Sequence, residues 1–360
     1  MNIKIEDTVC KMKKLSLKEV AKSLKVSPST VSRALSGKPG VSQQKREEII
    51  EKARKLGFTP DSMASSLKTG KTYGVTVIVG QQGSEITLNR NHMIFDLARK
   101  KFGSIRVVTL NEDNDLDKLI WDAAAGRSKA IIATVPQKKI DAETARLLKK
   151  RKIPLTSVDF KLESFDSAQI DRSAGTFQAA RMLYLCGCKT PIFMSSQPIE
   201  KPDPRLEGIL KAARSLDKTI SQEDIHVING SDYQDGFKYA KALLNSRFFD
   251  GLFCYCDRIA IGAMRAIIQA GLRIPEDIKI IGFDNIPAAE FLPISLTTVA
   301  QPESGPAQMA VELTLDRLEN FDRDAKDQIF PTSLIARESC PLPEDFSMKE
   351  KIFATQIYIK

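Results

Sequence analysis

The sequence predicts an all-α helix-turn-helix head followed by an α/β body of two parallel-sheet lobes. Three observations predict this. Three short amphipathic helical patterns stand near the start, separated by turn residues. The excess positive charge lies with them: residues 1–72 hold 16 Lys/Arg and 7 Asp/Glu, a net charge of +9, and the remaining chain holds 38 of each sign. From residue 73 onward, apolar runs alternate with helical patterns, the signature of βαβ units.

Residues 1–14 read as a polar extension. Ser16 followed three residues later by Glu19 is a capping box, in which each side chain satisfies an orphan helix N–H. Leu17, Val20, Ala21 and Leu24 then recur at helical spacing and make one apolar face. A turn follows at Lys25-Val26. Ser27 is a good N-cap, and Pro28 suits the first helical position because its missing N–H would be unpaired there anyway. Val31, Ala34 and Leu35 form the buried stripe of this second helix, and Gly37 is a suitable stop. A third helix starts near Ser42, buries Ile49, Ile50, Ala53 and Leu56, and ends at Gly57.

With Val31, Ala34 and Leu35 inward, Ser29, Thr30, Ser32 and Arg33 face outward or lie at the edge. Short hydroxyls suit phosphate contacts, and Arg suits bidentate pairing with guanine. A protein-binding three-helix bundle would share the helical pattern. The concentrated charge favours a polyanion such as duplex DNA.

In the body, apolar runs at 75–79, 105–110, 130–135, 153–158, 191–195, 225–228, 251–255 and 278–283 read as buried strands. Helical patterns intervene near 88–102, 116–125, 140–151, 173–187, 205–216, 233–246, 258–271 and 304–319. That run is too long for one compact unit, so two lobes are expected. Ligands of open α/β sheets collect beyond the carboxyl ends of strands, and Asp257 and Asp284 both follow such ends. Their carboxylates can accept from sugar hydroxyls or base N–H groups, Arg205 can donate a fork, and Tyr233 can supply a stacking face. Each has a plainer alternative: Asp257 as a helix N-cap, Asp284 as a turn residue, Arg205 as a surface charge.

Several function classes are disfavoured. No stretch approaches the ~18–20 apolar residues of a membrane span. Lys4, Lys11, Lys13 and Lys14 break up the N-terminus, unlike a secretory signal, so the chain is read as cytoplasmic. Cys186-Gly-Cys188 and Cys254-Tyr-Cys256 could pair on a soft metal, but buried thiols packing as small apolar groups fit the spacing better. His92 and His226 are the only histidines, which disfavours zinc hydrolases and His-based triads. Gly70-Lys71-Thr72 ends like a phosphate-binding loop, but Ser65 stands where that loop needs glycine. No metal and no cofactor are expected, and no nucleophile–base constellation of an enzyme is visible.

Leu17 to Ala21, Val26 to Leu35, Val41-Ser42 through Phe58 and Ala64 to Thr72 together resemble the head of the lactose/galactose repressor (LacI/GalR) family. The resemblance implies that Pro28, Ser29 and Arg33 face base edges and that Thr30 and Ser32 hold phosphates. Residues 61–69 would be that family's hinge helix, with Leu67 as the apolar wedge entering the minor groove. Asp171 to Gly175, Arg205 to Gly208, Asp250 to Ala263, Ala270 to Asp277, Ile280 to Pro287, Leu296 to Val299 and Gln301-Pro302 resemble the family's effector-binding body. That implies two Rossmann-like lobes, similar to periplasmic sugar-binding proteins, with three crossovers and a ligand in the cleft. The chain departs from the family at Gly80 to Asn89, which lacks the usual Asn-Pro-Phe-type loop, and at Cys256, where an Asn often precedes the Asp.

The expected organisation is an extension (1–14), a helix-turn-helix domain (15–60), a hinge (61–72), a two-lobed body (73–339) and a tail (340–360). The N-lobe is expected over about 73–160 plus 287–320, and the C-lobe over about 161–286 plus 321–339. The expected function is a dimeric transcription regulator, most simply a repressor. It would bind a pseudo-palindromic operator and be controlled by a small, sugar-like effector. Two alternatives stand beside it: a DNA-binding regulator with a degenerate cleft, governed by a partner protein or by abundance, and an enzyme or transport-type binding protein on the same body.

Overall fold

The computed structural model describes residues 17–35, 39–56, 73–80, 84–111, 115–135, 139–196, 203–343 and 357–359. The chain divides into two compact units, Met1–Thr72 and Tyr73–Lys360.

In the first unit, α1 (Leu17–Ser23), α2 (Pro28–Leu35) and α3 (Gln43–Lys55) form the expected three-helix head. Val20, Ala21, Leu24, Val31, Ala34, Ile49 and Ala53 make its core. Leu56 departs from expectation: it is 38 % exposed, because α3 ends at Lys55 and the next residue turns off the buried face. Ile50 is only half-buried. Lys25, in the α1–α2 turn, takes φ 51°, the left-handed conformation needed for so short a reversal. The Ser16 cap and the Gly37 and Gly57 stops lie outside the described residues.

The second unit alternates strands and helices. Its first sheet contains β1 (Tyr73–Gly80), β2 (Ile105–Leu110), β3 (Ser128–Thr134), β4 (Leu155–Asp159), β5 (Asp166–Asp171) and β11 (Asp327–Pro331). Their order is β11-β5-β4-β3-β1-β2, with every pairing parallel. The second sheet contains β6 (Pro191–Ser195), β7 (Ile225–Val227), β8 (Gly251–Cys254), β9 (Lys279–Asp284), β10 (Thr297–Ala300), β12 (Ser333–Ala336) and β13 (Ile357–Ile359). It runs β13-β12-β10-β9-β8-β6-β7, parallel except between β10 and β12.

The helices of this unit are α4 (Glu85–Phe102), α5 (Leu116–Ala125), α6 (Ala142–Arg151), α7 (Arg172–Leu185), α8 (Pro204–Ser215), α9 (Tyr233–Ser246), α10 (Asp257–Gln269) and α11 (Ser304–Glu319). The chain passes between the sheets three times: from β5 into α7, from β10 into α11, and from β11 to β12 through Thr332.

These crossings correct the expected lobe boundaries. β5 lies in the first sheet although residue 161 was expected to open the second lobe. β10 lies in the second sheet, and only α11 from the 287–320 stretch returns to pack on β3, β4 and β5. β11 belongs to the first sheet rather than the second. All three strands are short, and β5 and β11 carry polar residues. Helix α4 also begins earlier than expected, at Glu85, because Ser84 caps it by accepting from the Thr87 N–H.

The tail is partly structured. Cys340 is fully buried, and β13 lies parallel to β12 with Ile335 opposite Tyr358. Helices α9 and α10 pack closely enough that a Cβ on Gly236 would strike the Ile259 carbonyl and one on Gly262 the Tyr233 carbonyl. Both glycines are required by proximity rather than by dihedral angle.

Candidate functional site

Two regions carry polar chemistry: the outer face of α2 in the head, and the facing carboxyl ends of the two sheets in the body. In the head, Ser27 caps α2, its hydroxyl accepting from the Thr30 N–H at 3.1 Å. The same oxygen lies 2.7 Å from the Ser29 hydroxyl and 2.8 Å from that of Thr30. Pro28, Ser29, Ser32 and Arg33 are exposed, and Thr30 is half-buried. These residues share one end and one side of a helix whose other side is pinned by Val31 and Ala34. The Arg33 guanidinium lies over Gly40, with Nη1 3.4 Å from where a Cβ would stand. Gly40 has φ 98°, so a side chain there would be strained. Across residues 17–35, Lys18, Lys22, Lys25 and Arg33 face solvent against a single acid, Glu19. Leu67 and the expected hinge lie outside the described residues.

In the body, the carboxyl ends of β4 and β9 hold Asp159 and Asp284, and three arginines gather around them. Arg90, on α4, places Nη1 2.6 Å from both Asp159 oxygens. Its Nη2 donates to the Pro302 carbonyl at 3.2 Å, in the connection between β10 and α11. Arg172, the first residue of α7, donates to the Asp159 carbonyl at 2.8 Å and stacks 4.9 Å above the Phe160 ring. Arg205, at the start of α8, stacks 4.5 Å above the Phe283 ring. Asp284 accepts from the Gln301 amide, and the Ser84 side chain, from the first lobe, lies close enough to help lower its carboxyl. Its φ of 115° is uncommon for a residue with a Cβ, and such strain clusters at functional sites.

Electrostatics tie the group together. Burial pushes the Asp284 carboxyl up, against the pull of Arg205, Gln301, Arg172 and Ser84. Burial lowers the Arg172 guanidinium to about 10, with Asp159 acting in the opposite direction and Arg205 and Arg90 adding to the lowering. The cluster also bridges the lobes apolarly: Ile86, on α4, is buried within the core of the second lobe.

Of the four expected effector residues, the structure brings Arg205 and Asp284 together. It gives Asp257 another role. Asp257 is fully buried, with Oδ1 2.5 Å from the Thr298 hydroxyl and Oδ2 2.9 Å from the Ile286 N–H. It pins the loop after β9 to β10, and Cys256 rather than Asp257 occupies the N-cap of α10. Burial first, and then the nearby Asp284 charge, push its carboxyl well above the usual range. Tyr233 opens α9 and is 42 % exposed, outside the charged group.

Sequence reasoning missed Ser84, Arg90, Asp159, Arg172 and Gln301 as members of the cluster. Asp159 carried the same signal as Asp284, an acid directly after an apolar strand, and could have been found by it. Arg90 carried none. The described cysteines are free thiols in the second lobe: Cys186 donates to the Pro341 carbonyl at 3.2 Å, and Cys188 to the Asp250 carbonyl at 3.4 Å. Among the described residues, no group of His, Cys, Asp and Glu is placed to hold a metal ion, and no helix is long and apolar enough to cross a membrane.

Comparison with known proteins matches both regions. Residues 16–61 fit the family model described as bacterial regulatory proteins, lacI family. Residues 180–340 fit the model described as a periplasmic binding protein-like domain. The chain is 29 % identical over 341 residues to the HTH-type transcriptional repressor PurR of Proteus mirabilis, covering 90 % of this chain and 96 % of the relative. It is 26 % identical over 341 residues to the HTH-type transcriptional regulator RegA of Clostridium acetobutylicum, covering 90 % and 99 %. The fold is shared with a solved lac repressor dimer bound to operator and the anti-inducer ONPF, at TM-score 0.71 and 21 % identity over 91 % of this chain and 100 % of that one.

Proposed function

With the chain a member of the lacI family of bacterial regulatory proteins, and so a sequence-specific DNA-binding transcription regulator, we propose that it is a cytoplasmic repressor without enzymatic activity. It acts as a homodimer on a pseudo-palindromic operator and responds to a small, sugar-like effector held between the lobes. The observation that carries the DNA-binding part is the outer face of α2: a capped helix offering Pro28, Ser29, Ser32 and Arg33 on a module that holds the whole excess charge. Pro28, Ser29 and Arg33 read base edges in the major groove, Thr30 and Ser32 fix phosphates, and Leu67 wedges into the minor groove. That the lac repressor dimer on the same fold binds operator and an anti-inducer supports the pairing of a DNA-binding head with a ligand-binding body.

Selection of bound sequences from a random duplex pool is the direct test. It should return a two-fold symmetric site, and affinity for it should fall steeply with salt through counterion release. Arg33→Ala should lose about 1–3 kcal/mol of discrimination at one base position of each half-site. A pool with no common sequence, or an Arg33→Ala protein with unchanged base preferences, sinks the assignment of α2.

One observation favours a second reading, in which no small ligand is sensed. The cleft acids already have protein donors, Asp159 in Arg90 and Asp284 in Gln301. Under that reading, operator occupancy follows the abundance of the protein or of a protein partner, and operator affinity is unmoved by any small molecule.

A further inference from the structure

The charge balance of the cleft narrows what it can hold. Three arginines, Arg90, Arg172 and Arg205, surround two carboxylates, Asp159 and Asp284. Burial also resists the ionised form of Asp284. The cluster therefore carries a net positive charge in a setting with little water. Arg172 is the first residue of α7, and Arg205 lies in the first turn of α8. Each of these helix N-termini is met by its own carboxylate cap, Asp171 accepting from the Ala174 N–H and Asp203 from the Arg205 and Leu206 N–H groups, so the excess charge of the cluster rests on the guanidiniums.

The arginines also have donors to spare. Arg90 is 1 % exposed and Arg172 6 % exposed. The Nε of each, and that of Arg205, is buried with no acceptor among the described residues. A buried guanidinium N–H without an acceptor costs desolvation free energy that a ligand oxygen would recover. The Phe160 and Phe283 rings lie against the Arg172 and Arg205 guanidiniums and offer them no hydrogen-bond acceptor oxygen. That geometry suits the oxygens of a carboxylate or phosphate. The Gln301 Oε1 is likewise buried and unpaired among the described residues, and Asp284 can accept from a hydroxyl.

Resting on the effector reading above, we propose that the effector is an anionic polyol, a sugar acid or a sugar phosphate. Its charged group lies among Arg90, Arg172 and Arg205, and its hydroxyls face Asp284 and Gln301. A neutral sugar would leave the excess arginine charge uncompensated and would bind more weakly.

The test uses the full chain in a thermal-shift titration followed by calorimetry. The probes are a panel of aldonic, uronic and phosphorylated sugars, their neutral parents, and inorganic phosphate at matched ionic strength. At least one acidic sugar should raise the melting temperature saturably and bind at least about tenfold more tightly than its neutral parent. Whether the carboxylates or the phosphates respond identifies the source of the charge. Arg205→Gln should abolish the shift and Arg205→Lys should restore part of it. Arg205 is the least buried of the three, and the melting temperature of each variant without ligand checks that it folds.

A neutral sugar that binds as tightly as its acid overturns the anionic class while leaving the effector reading intact. Silence across the whole panel overturns both. An acid that binds Arg205→Gln as it binds the unaltered chain overturns the placement. A shift with inorganic phosphate equal to that of every sugar overturns the polyol part.

Discussion

The Arg90–Asp159 pair ties α4 to the end of β4, and breaking it tests whether the cleft cluster organises the body. The ion pair has side-chain exposures of 1 % and 4 %. Replacing Arg90 with Met keeps most of the buried stem and removes the charge. Stranding one member of a buried pair costs about 3–5 kcal/mol. Here Asp159 keeps a second partner, since the Arg172 Nη2 remains 3.6 Å from Oδ2. The lower end of that range, about 3 kcal/mol, is therefore expected, and it includes the lost bond to the Pro302 carbonyl. At about 2–4 °C per kcal/mol for a unit of this class, Arg90→Met should melt about 6–12 °C below the unaltered chain. Asp159→Asn completes a double-mutant cycle, and the double variant should lose less than the sum of the singles by at least about 1 kcal/mol. Circular dichroism melts and urea titrations supply the numbers. A drop under about 2 °C, or additive single and double effects, would mean that the pair is incidental to the fold and that α4 is held by its buried apolar residues Ile86, Ile94 and Ala98.

Two further outcomes follow from groups outside the cleft. Asp166 is buried, and although burial pushes its carboxyl up, hydrogen bonds from Arg317, Arg323 and the Lys326 N–H outweigh it and hold it below the usual value. A depressed carboxyl stabilises the fold above the ordinary Asp value of about 3.9, and that stability is lost as pH falls through the native value. Asp166→Asn should cost about 3 kcal/mol in urea unfolding at neutral pH, and the gap should shrink on acidification; a gap independent of pH refutes the assignment. Gly262→Ala should destabilise the body by about 1–3 kcal/mol, because the new methyl meets the Tyr233 carbonyl, a backbone atom that cannot rotate away. A stabilised variant would show that α9 and α10 can slide apart freely.

Much of the architecture was legible because it rests on period and punctuation. The strands at 105–110 and 191–195 coincide with the apolar runs, and the helices at 116–125 and 304–319 with the helical patterns. The strands nearest the crossings were not legible. β5 reads Asp-Ser-Ala-Gln-Ile-Asp, yet most of it is buried, because Arg317, Arg323 and Asp327 from distant elements satisfy its polar side chains. No local pattern announces such a strand, and lobe boundaries placed without it shift by a whole crossing. Leu56 shows the converse error: an apolar residue in helical phase is exposed once the helix stops one residue before it.

The cleft divides in the same way. Arg205 and Asp284 were legible because position along a βαβ unit marks them: one opens a helix and the other follows a strand. Arg90 was not, since it sits between Asn89 and Asn91 on a polar stretch of α4, and its partner lies 69 residues away. The two strand-end acids of the second lobe show where positional reasoning stops. Asp257 and Asp284 are both buried and both raised by burial. What separates them is who fills their oxygens. Asp257 is satisfied within its own lobe by Thr298 and the Ile286 N–H. It fixes the backbone just beyond Asp284, so Asp284 can hold φ 115° and meet Ser84 from the other lobe. Two acids with the same sequence signal therefore take different tasks: one anchors the loop, and the anchored loop presents the other to the arginines.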